Sequence, residues 1–446
     1  MAAESKSMTS GPILSKLVVF AIPLILTGIL QQLYNTFDSI VIGKFSSSLA
    51  LAGVGGSASL INLVINLFIG LSTGASIVVG QCFGAKDDAA MKKVVHTAVA
   101  LALVCGVLMT GLGLAVLRPI LRLIKTPEAV MPYAVKYTTI YFCGTLPTLL
   151  YNFLAGILRA VGDSKRPLYY LIISAAINII LNLIFVVVLG MDVDGVAAAT
   201  IISQTVCCIL ALYRLMKIDA SYRIEIKSIR FNKKILIKIL CLGLPTGINS
   251  CLFSFSNLII QSSINSFGAA ATAGCAASSN IDNFIYMPMN AIGIAATTFV
   301  SQNKGAGEYG RIDKGFRYSV FLVTAVALVL GTAVLILGKP LLSLFTNDEE
   351  VIRFGMQRMI IIASMYFICG IMDVVGGTIR GMGEGIIPML VSVAGVCGIR
   401  ILWIFVILPL NRTLVTLFVS YPLSWFVTSL TMYIYFKAAK KRLQSI

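Results

Sequence analysis

The sequence predicts an all-α membrane protein in which twelve transmembrane helices form two pseudo-symmetric six-helix bundles. Three observations lead to this fold class. Of the 446 residues, 58% are apolar and only 12% are charged, whereas soluble domains are about 45–50% apolar and about 25% charged. The apolar residues fall into segments of about 20 or more, the length that crosses a bilayer as a helix. The two halves of the chain also repeat each other.

The apolar segments define twelve spans, numbered here in chain order. They cover residues 14–43, 50–79, 94–117, 132–153, 168–190, 193–213, 235–265, 270–300, 317–338, 354–375, 386–409 and 413–436. We expect helices because a lone strand cannot satisfy its backbone hydrogen bonds in hydrocarbon, and because these segments are too long and too uniformly apolar for barrel strands. An even number of spans places both termini on one side of the membrane.

The excess of basic residues follows this topology. The chain carries 35 Lys and Arg residues against 18 Asp and Glu residues, a net charge of +17. With both termini in the cytoplasm, the cytoplasmic loops and adjoining span ends hold 25 of the basic residues, and the opposite loops hold 7. This asymmetry matches the positive-inside rule. It predicts a multi-pass protein of the cell membrane with cytoplasmic termini, and no nucleic-acid partner is expected.

An internal repeat relates the two halves at an offset of 221 residues. Residues 156–167 align with 377–388, and residues 81–85 align with 302–306. The matching residues are Gly, Pro, Arg and Gln, which chance matches in apolar sequence would not favour. Because each half has six spans, the halves share one topology, as in transporters built from parallel repeats.

This repeat predicts the domain organisation. We expect an N-lobe at residues 1–216, a basic cytoplasmic linker at 217–234 and a C-lobe at 235–446. Two such bundles suit alternating access. The sequence has no GxxxxGK[ST] loop for ATP, no HExxH motif and a single histidine, His96. We therefore expect neither an enzyme nor a cofactor.

Three acidic residues lie within the spans, at Asp38, Asp282 and Asp373. An Asp at a helix centre costs about 2.5–3.5 kcal/mol, so each is a functional candidate unless an ion pair accounts for it. Asp38 continues a polar stripe with Gln31 and Asn35, at the spacing i, i+4, i+7 that shares one helix face.

Two other helices carry polar residues at the depth of Asp38. Asn178 and Asn182 lie on span 5, and Thr200 lies on span 6. At about 1.5 Å per residue, Asp38, Asn182 and Thr200 fall roughly 8–12 Å inside the outer ends of their spans. Such oxygens would suit a hard cation such as Na⁺, and a dry pocket would instead make Asp38 a proton carrier. The alternative is interhelical hydrogen bonding, typically under about 2 kcal/mol per contact.

The sequence resembles the multidrug and toxin extrusion (MATE) family along essentially its whole length. The resemblance is carried by a first span containing Pro23, Gln31, Asn35 and Asp38, by the 81–85 end of span 2, and by the segments Gly156-Ile-Leu-Arg159-Ala-Val-Gly162-Asp163 and Gly377-Thr-Ile-Arg380-Gly-Met-Gly383-Glu384. It implies two six-helix lobes enclosing a cavity, and export of cationic or amphipathic compounds driven by Na⁺ or H⁺.

The resemblance also implies site residues. The acid in span 1 makes the sequence similar to the DinF-like branch of the family. The resemblance assigns the coupling site, with a possible Na⁺, to Asp38, Asn178, Asn182 and Thr200. Gln31 and Asn35 lie on the same stripe as Asp38. Span 7 carries Asn257 and Gln261 but no acid. A cation site in the C-lobe built on an acidic pair on spans 7 and 10 is therefore not expected.

A polyspecific cavity would be lined by aromatic and Met side chains. The candidates are Tyr34, Phe37, Tyr141, Phe253, Phe284, Met287 and Met289, together with Asp282 and Asp373. In a helix bundle such residues more often belong to the core or face lipid. Arg400 lies in the middle of span 11, where an isolated charge is costly. We expect it to pair with Asp282 or Asp373; the alternative is that one aspartate faces the cavity and attracts a cationic substrate.

Pro23 and Pro245 occupy matching places in spans 1 and 7. Proline in a helix interior removes a backbone hydrogen bond and kinks the helix, so both are predicted hinges, with a static kink as the alternative. The leading function is a cation-coupled antiporter for small-molecule substrates, which we expect to be a monomer among membrane lipids. The alternative is a flippase for lipids or lipid-linked oligosaccharides, whose cavity would need several inward basic residues.

Overall fold

A computed structural model of the protein describes residues 7–123 and 126–444. The described part leaves out residues 1–6, 124–125 and 445–446. The predicted N-lobe therefore lacks its first six residues in this description, and the predicted C-lobe lacks its last two. The helices of the first half are α1 (Ile13–Phe45), α2 (Ser48–Gly84), α3 (Asp88–Leu123), α4 (Met131–Cys143), α5 (Thr145–Ala160), α6 (Lys165–Asn182) and α7 (Val193–Lys217). A π-helical turn, Leu183–Val188, continues α6.

The second half begins after a linker that contains a short 3₁₀ turn, Ile226–Ser228. Its helices are α8 (Lys233–Asn265), α9 (Ala269–Gly305), α10 (Tyr309–Ile336), α11 (Gly338–Ser343), α12 (Glu349–Ser364), α13 (Tyr366–Gly381), α14 (Ile386–Ser392), α15 (Ile399–Val406) and α16 (Leu414–Gln444). A π-helical turn, Val393–Gly398, joins α14 to α15. The described residues form no β-strand.

The predicted number of transmembrane segments is confirmed when two bent helix pairs are each counted as one span. In the described ranges, ten helices are long and apolar enough to cross a membrane, and the count reaches 12 with the pairs α4–α5 and α12–α13. These pairs bend by 49° and 47°, respectively. They replace the continuous helices predicted at 132–153 and 354–375, so the sequence placed these spans correctly but missed their breaks.

Both breaks fall at repeat-related positions, Gly144 and Met365. At the first, the Thr145 hydroxyl donates to the Phe142 carbonyl oxygen at 2.8 Å and so satisfies a group that the break leaves open. Pro147 follows within the first turn of α5, where a missing N–H costs little. The second break has Ile at the place of this proline, so proline is not what defines the bend.

The sequence repeat is also a structural repeat. Helices α2 and α9 begin at Ser48 and Ala269 and end at Gly84 and Gly305, in both cases 221 residues apart. Their packing repeats as well. The Ser72 hydroxyl of α2 donates to the carbonyl oxygen of Asn152 on α5 at 2.8 Å. At the repeat-related places in α9 and α13, a Cβ on Gly293 would lie 3.7 Å from the carbonyl oxygen of Asp373.

The chain divides into two compact units that exchange the first parts of their first helices. Unit 1 comprises Met1–Ser7 and Leu26–Gly247, and unit 2 comprises Met8–Ile25 and Ile248–Ile446. The predicted lobes at 1–216 and 235–446 differ from these units because the sequence boundaries were placed at loops. The start of α1 belongs with the second half of the chain, and the start of α8 belongs with the first half.

Apolar burial explains this exchange. Leu17 and Phe20 of α1 are 1% and 3% exposed within the core of unit 2. Ile239 and Leu242 of α8 are 0% and 5% exposed within the core of unit 1. Each helix therefore buries its first turns in one unit and continues into the other.

Within unit 1, α2 and α8 approach each other through glycines. A Cβ on Gly74 would lie 2.6 Å from the backbone nitrogen of Gly243. Gly70 and Gly247 form the neighbouring contact one turn away, so a Gly-x₃-Gly pair on each helix forms the crossing. Small residues of this spacing allow two transmembrane backbones to pack closely.

Candidate functional site

The strongest candidate site is the cluster around Asp38 in unit 1. The Asn182 amide nitrogen donates to Asp38 Oδ1 at 2.6 Å, and the Thr200 hydroxyl lies 3.4 Å from Asp38 Oδ2. The same Asn182 nitrogen donates to Asn178 Oδ1 at 3.0 Å. The three residues that the sequence placed at one depth, Asp38, Asn182 and Thr200, are therefore in contact, and Asn178 joins them through Asn182.

Helical spacing explains how these side chains converge. Asn178 and Asn182 are one turn apart on α6, and both are fully buried. Thr200, on α7, also donates to the carbonyl oxygen of Val196 at 2.9 Å, which fixes its hydroxyl beside Asp38. The contact between α6 and α7 is reinforced by Ser174, whose hydroxyl donates to the Ser203 carbonyl oxygen at 2.8 Å.

The Asp38 carboxylate is held by neutral donors. No basic side chain of the described residues forms an ion pair with it. Lys136, a basic residue of the same unit, pairs instead with Asp194 at 3.0 Å. Because the donors are uncharged, no neighbouring basic side chain among the described residues neutralises this carboxylate.

Two buried polar atoms beside Asp38 have no hydrogen-bond partner among the described residues. They are the Nδ2 atom of Asn178 and the Oδ1 atom of Asn182. A buried polar atom without a partner is destabilising by about 1–3 kcal/mol, and a bound water or ion is one explanation for such an atom. The cluster therefore offers oxygen atoms from three kinds of side chain, carboxylate, amide and hydroxyl, which is the donor set of a hard cation.

An apolar and aromatic shell surrounds this cluster. The shell consists of a small core that includes Val186, Val196 and Tyr137, with Phe37 and Tyr141 packed against it. Two of the aromatic residues predicted to line a substrate cavity, Phe37 and Tyr141, thus belong to the surroundings of Asp38. Such walls exclude water and strengthen the electrostatic interactions of the carboxylate.

Other members of the predicted coupling set lie apart from the cluster. Gln31 and Asn35 are exposed on α1, and neither is hydrogen-bonded to Asp38. Tyr34, one turn before Asp38, is 9% exposed, and its hydroxyl lies 3.5 Å from Ser203 Oγ. The prediction that all three polar residues of the α1 stripe share one site is therefore wrong for Gln31 and Asn35.

In unit 2, Asp282 forms a buried ion pair. Arg358 Nη1 donates to Asp282 Oδ2 at 2.5 Å and to the Ser278 hydroxyl at 2.8 Å. Asp282 is 3% exposed and Arg358 is 8% exposed. The predicted pairing of Asp282 with Arg400 is wrong, because Arg358 is the closer cation. Arg358 lies only four residues after the predicted start of span 10 at residue 354, but it is nine residues inside α12.

Arg400 is stabilised by aromatic rings. Its guanidinium carbon lies 3.9 Å from the centre of the Tyr421 ring and 5.7 Å from that of Trp425. Its Nε atom donates to the Ser424 hydroxyl at 3.0 Å. Cation–π contacts of this kind are worth about 2 kcal/mol or more when they are desolvated. Arg400 is thus a core residue, and no ion pair joins it to Asp373 within the described residues.

The structure removes two residues from the predicted substrate cavity. Met289 is fully buried in the core of unit 2, and Asp282 is buried in its ion pair. Neither can contact a substrate without unpacking that core. The remaining aromatic and Met candidates of this unit are accessible, since Phe284 is 52% exposed and Phe253 and Met287 are half-buried.

Asp373 differs from Asp282 in its surroundings. It is half-buried, and its Oδ2 atom has no hydrogen-bond partner among the described residues. Tyr286 and Arg380 lie near enough to interact electrostatically with the carboxylate, but Arg380 forms no ion pair with it in the described part of the chain. In contrast to Asp282, Asp373 therefore has no ion pair among the described residues.

The described residues contain no cluster of the side chains that usually bind zinc or iron. No group of three or more His, Cys, Asp or Glu side chains converges there, and all ten cysteines are free. The Asp38 cluster has a single carboxylate with amide and hydroxyl partners, a set suited to a monovalent ion or a proton.

Comparisons with known proteins agree with this architecture. The MatE family model matches residues 23–184 and again residues 245–406. The chain is 29% identical over 439 residues to the probable multidrug resistance protein YoeA of Bacillus subtilis, covering 96% of this chain and 94% of that protein. It is 30% identical over 393 residues to the probable multidrug resistance protein YpnP of the same organism, covering 85% of each.

A solved structure shares the fold. The outward-facing conformation of a multidrug resistance MATE family transporter superimposes with a TM-score of 0.91 at 20% sequence identity, covering 98% of each chain. The two family matches fall on the two structural repeats and together cover most of the chain. The chain belongs to the MATE family of membrane transporters.

Proposed function

We propose that the protein is a secondary active antiporter that exports cationic or amphipathic compounds, with Na⁺ or H⁺ as the coupling ion and Asp38 as its carrier. The observation that carries this proposal is the state of the Asp38 carboxylate, which neutral donors hold inside a transmembrane bundle. Family membership and similarity to two probable multidrug resistance proteins support drug or toxin export.

The geometry suits either coupling ion. A Na⁺ ion would be bound by the carboxylate of Asp38 with Asn178 Oδ1, Asn182 Oδ1 and Thr200 Oγ1, because hard cations prefer several oxygen ligands. A proton would neutralise the same carboxylate directly. In both cases occupancy removes the net charge of the cluster and changes the hydrogen bonds that connect α1 to α6 and α7.

The two matched prolines support a hinge in each exchanged helix. Pro23 lies three residues before Leu26, where α1 passes from unit 2 to unit 1, and Pro245 lies three residues before Ile248, where α8 passes from unit 1 to unit 2. A proline weakens the helix where it removes a backbone hydrogen bond. In the proposed cycle, ion binding at Asp38 changes the bend of α1 at this point.

The proposed cargo site lies in unit 2. The half-buried carboxylate of Asp373 would attract the positive charge of a substrate, and the aromatic and Met candidates that remain accessible would contact its apolar part. The proposed setting is the cell membrane, with both termini in the cytoplasm, as the charge asymmetry predicts. We further propose that the protein belongs to the DinF-like branch, on the basis of the acid in the first helix. We also propose that it acts as a monomer.

Transport by purified protein in liposomes tests the proposal. Ethidium movement is followed after a Na⁺ jump at constant pH and, separately, after a pH jump without Na⁺. We expect one of the two gradients to drive transport in the parent protein. The Asp38→Asn variant should fall to the rate of empty liposomes while remaining folded, since it keeps the shape of the side chain and loses only its charge.

Asp194→Asn is the matched control, because it removes a carboxylate that is already paired with Lys136 in the same unit. It should transport ethidium at the parental rate. Ion-driven transport by Asp38→Asn at the parental rate would contradict the assignment of coupling to Asp38. Movement of labelled phospholipid in place of ethidium would favour the flippase, although Arg400, the mid-span cation that it would use, is stacked in the core.

A further inference from the structure

A groove with a volume of about 340 Å³ lies between the ends of α10 and α16 in unit 2. Four basic side chains, Arg317, Lys437, Lys440 and Lys441, line it together with one carboxylate, Asp313. The lining therefore carries a net charge of +3. Because the groove lies at the ends of two transmembrane helices and is positively charged, an anion would bind there.

Ion pairs inside the groove leave part of this charge available. Lys440 pairs with Asp313 at 2.9 Å and Arg317 pairs with it at 3.0 Å, so a single carboxylate connects α10 to α16. Lys437 lies 4.8 Å above the Tyr433 ring, and Lys441 is exposed. One negative charge thus serves two of the four cations.

The floor of the groove is aromatic. Phe316 stacks on Tyr433 with ring centres 6.1 Å apart, and it contacts Phe436 at 4.7 Å. One turn further along the helices, Phe321 of α10 is 62% exposed and Leu430 of α16 is 48% exposed. An anion bound by the lysines would therefore lie beside an apolar surface that continues along the spans, and this combination fits a phosphate that carries acyl chains.

At the repeat-related place, the first half carries a basic residue where the groove carries Asp313, and a carboxylate of the linker pairs with it. At the 221-residue offset, Asp313 and Arg317 correspond to Lys92 and His96 of α3. There the linker residue Glu225 pairs with Lys92 at 3.6 Å, and its backbone N–H donates to His96 Nε2 at 3.0 Å. A hydrogen bond from the Ser228 hydroxyl, with the nearby Lys92 ammonium, lowers the pKa of the Glu225 carboxyl.

The linker seals this place in unit 1. Tyr222 and Ile224, which precede Glu225, are 7% and 2% exposed in the unit 1 core. In unit 2, the described residues that line the corresponding groove all come from α10 and α16. We propose that the groove binds the phosphate headgroup of an anionic phospholipid, held by Lys437 and Lys441, the two lining cations that do not pair with Asp313.

Lipid retention by the purified protein tests this site. The full chain in detergent is mixed with phosphatidylglycerol or with phosphatidylcholine, and bound lipid is counted by native mass spectrometry. Each basic side chain near an anionic lipid contributes roughly a fivefold factor in affinity. The variant Lys437→Ala/Lys441→Ala should therefore bind phosphatidylglycerol about 25-fold more weakly, with its phosphatidylcholine binding unchanged. This pair leaves the Lys440–Asp313 contact intact.

The matched control is Lys227→Ala/Arg230→Ala, which removes two exposed basic residues from the linker and causes the same loss of charge. It should bind phosphatidylglycerol like the parent protein. An equal loss in this control would overturn the proposal, because net charge alone would then explain the binding. Displacement of the lipid by inorganic phosphate at matched ionic strength would also overturn it, since the site would then bind a free anion. Lys441→Glu, a single surface change, should give a similar loss if the double variant folds poorly.

Discussion

The two halves of the chain share one pattern of helices and differ in how each holds an aspartate carboxylate within its helices. In the first half, Asp38 accepts hydrogen bonds from the neutral side chains of Asn182 and Thr200. In the second half, Asp282 is paired with the guanidinium of Arg358. A paired carboxylate is already neutralised, whereas one with neutral donors leaves a charge for a mobile cation. The two halves thus share their packing, while the carboxylates of Asp38 and Asp282 differ in whether a basic side chain neutralises them.

The largest expected effect concerns the pair in the second half. Replacing Arg358 with Ala leaves the Asp282 carboxylate buried without its partner, and removing one member of a buried pair costs about 3–5 kcal/mol. We expect Arg358→Ala to lower the melting temperature and the yield of folded protein more than Asp38→Asn does. Thermal unfolding in detergent, monitored by size-exclusion chromatography, measures this difference.

The double variant Asp282→Leu/Arg358→Met serves as the control for this pair. It replaces both charges with apolar groups, a change that is often neutral or stabilising in a packed interior. It should recover most of the lost stability and retain ion-driven transport. Loss of coupling in a stable double variant would show that the second half also carries the ion, and the proposed division between the halves would fail.

A smaller effect is expected at the neighbours of Asp38. Asn182→Leu removes the closest donor to the carboxylate and one amide oxygen, while keeping the side chain similar in size. Loss of one partner around a bound ion typically weakens its affinity about 10- to 100-fold. The apparent affinity for the coupling ion should fall by this factor, and the melting temperature should fall less than in Arg358→Ala, because the variant leaves Asn178 Oδ1 without its donor. Ion-concentration dependence of ethidium transport measures it.

The control for this neighbour is Thr205→Val on α7. The Thr205 hydroxyl donates to the carbonyl oxygen of Ile201 within its own helix and does not contact Asp38. Its loss should leave the ion dependence unchanged. An Asn182→Leu variant with parental ion affinity would mean that Asp38 acts without its neighbours.

Sequence periodicity was sufficient to find the Asp38 cluster because each participant lies on a helix whose start could be located. Asn178 and Asn182 are one turn apart, and the depth of Thr200 followed from the short loop before span 6. The same reasoning could not exclude Gln31 and Asn35, since a shared helix face does not decide which neighbour that face meets.

The partner of Asp282 was missed for a different reason. Span 10 was predicted to start at residue 354, which places Arg358 within about one turn of the water-facing end of the helix. The helix α12 starts earlier, at Glu349, and Arg358 is buried. Apolar content marks where a chain can cross a membrane but does not mark polar first turns. The exchange of α1 and α8 between the units was likewise not predictable, because it depends on which core buries Leu17 and Ile239.

The smallest expected effect tests whether the halves are interchangeable in packing as well as in charge. Gly70 on α2 faces Gly247 on α8, and its repeat partner on α9 is Ala291, which is 3% exposed. Gly70→Ala should destabilise the protein by about 1–3 kcal/mol, because the added methyl group meets backbone atoms of α8. Ala291→Gly should cost only about 1 kcal/mol, through helix propensity. Equal melting temperatures for the two variants would show that the glycine crossing is not closer than its alanine counterpart.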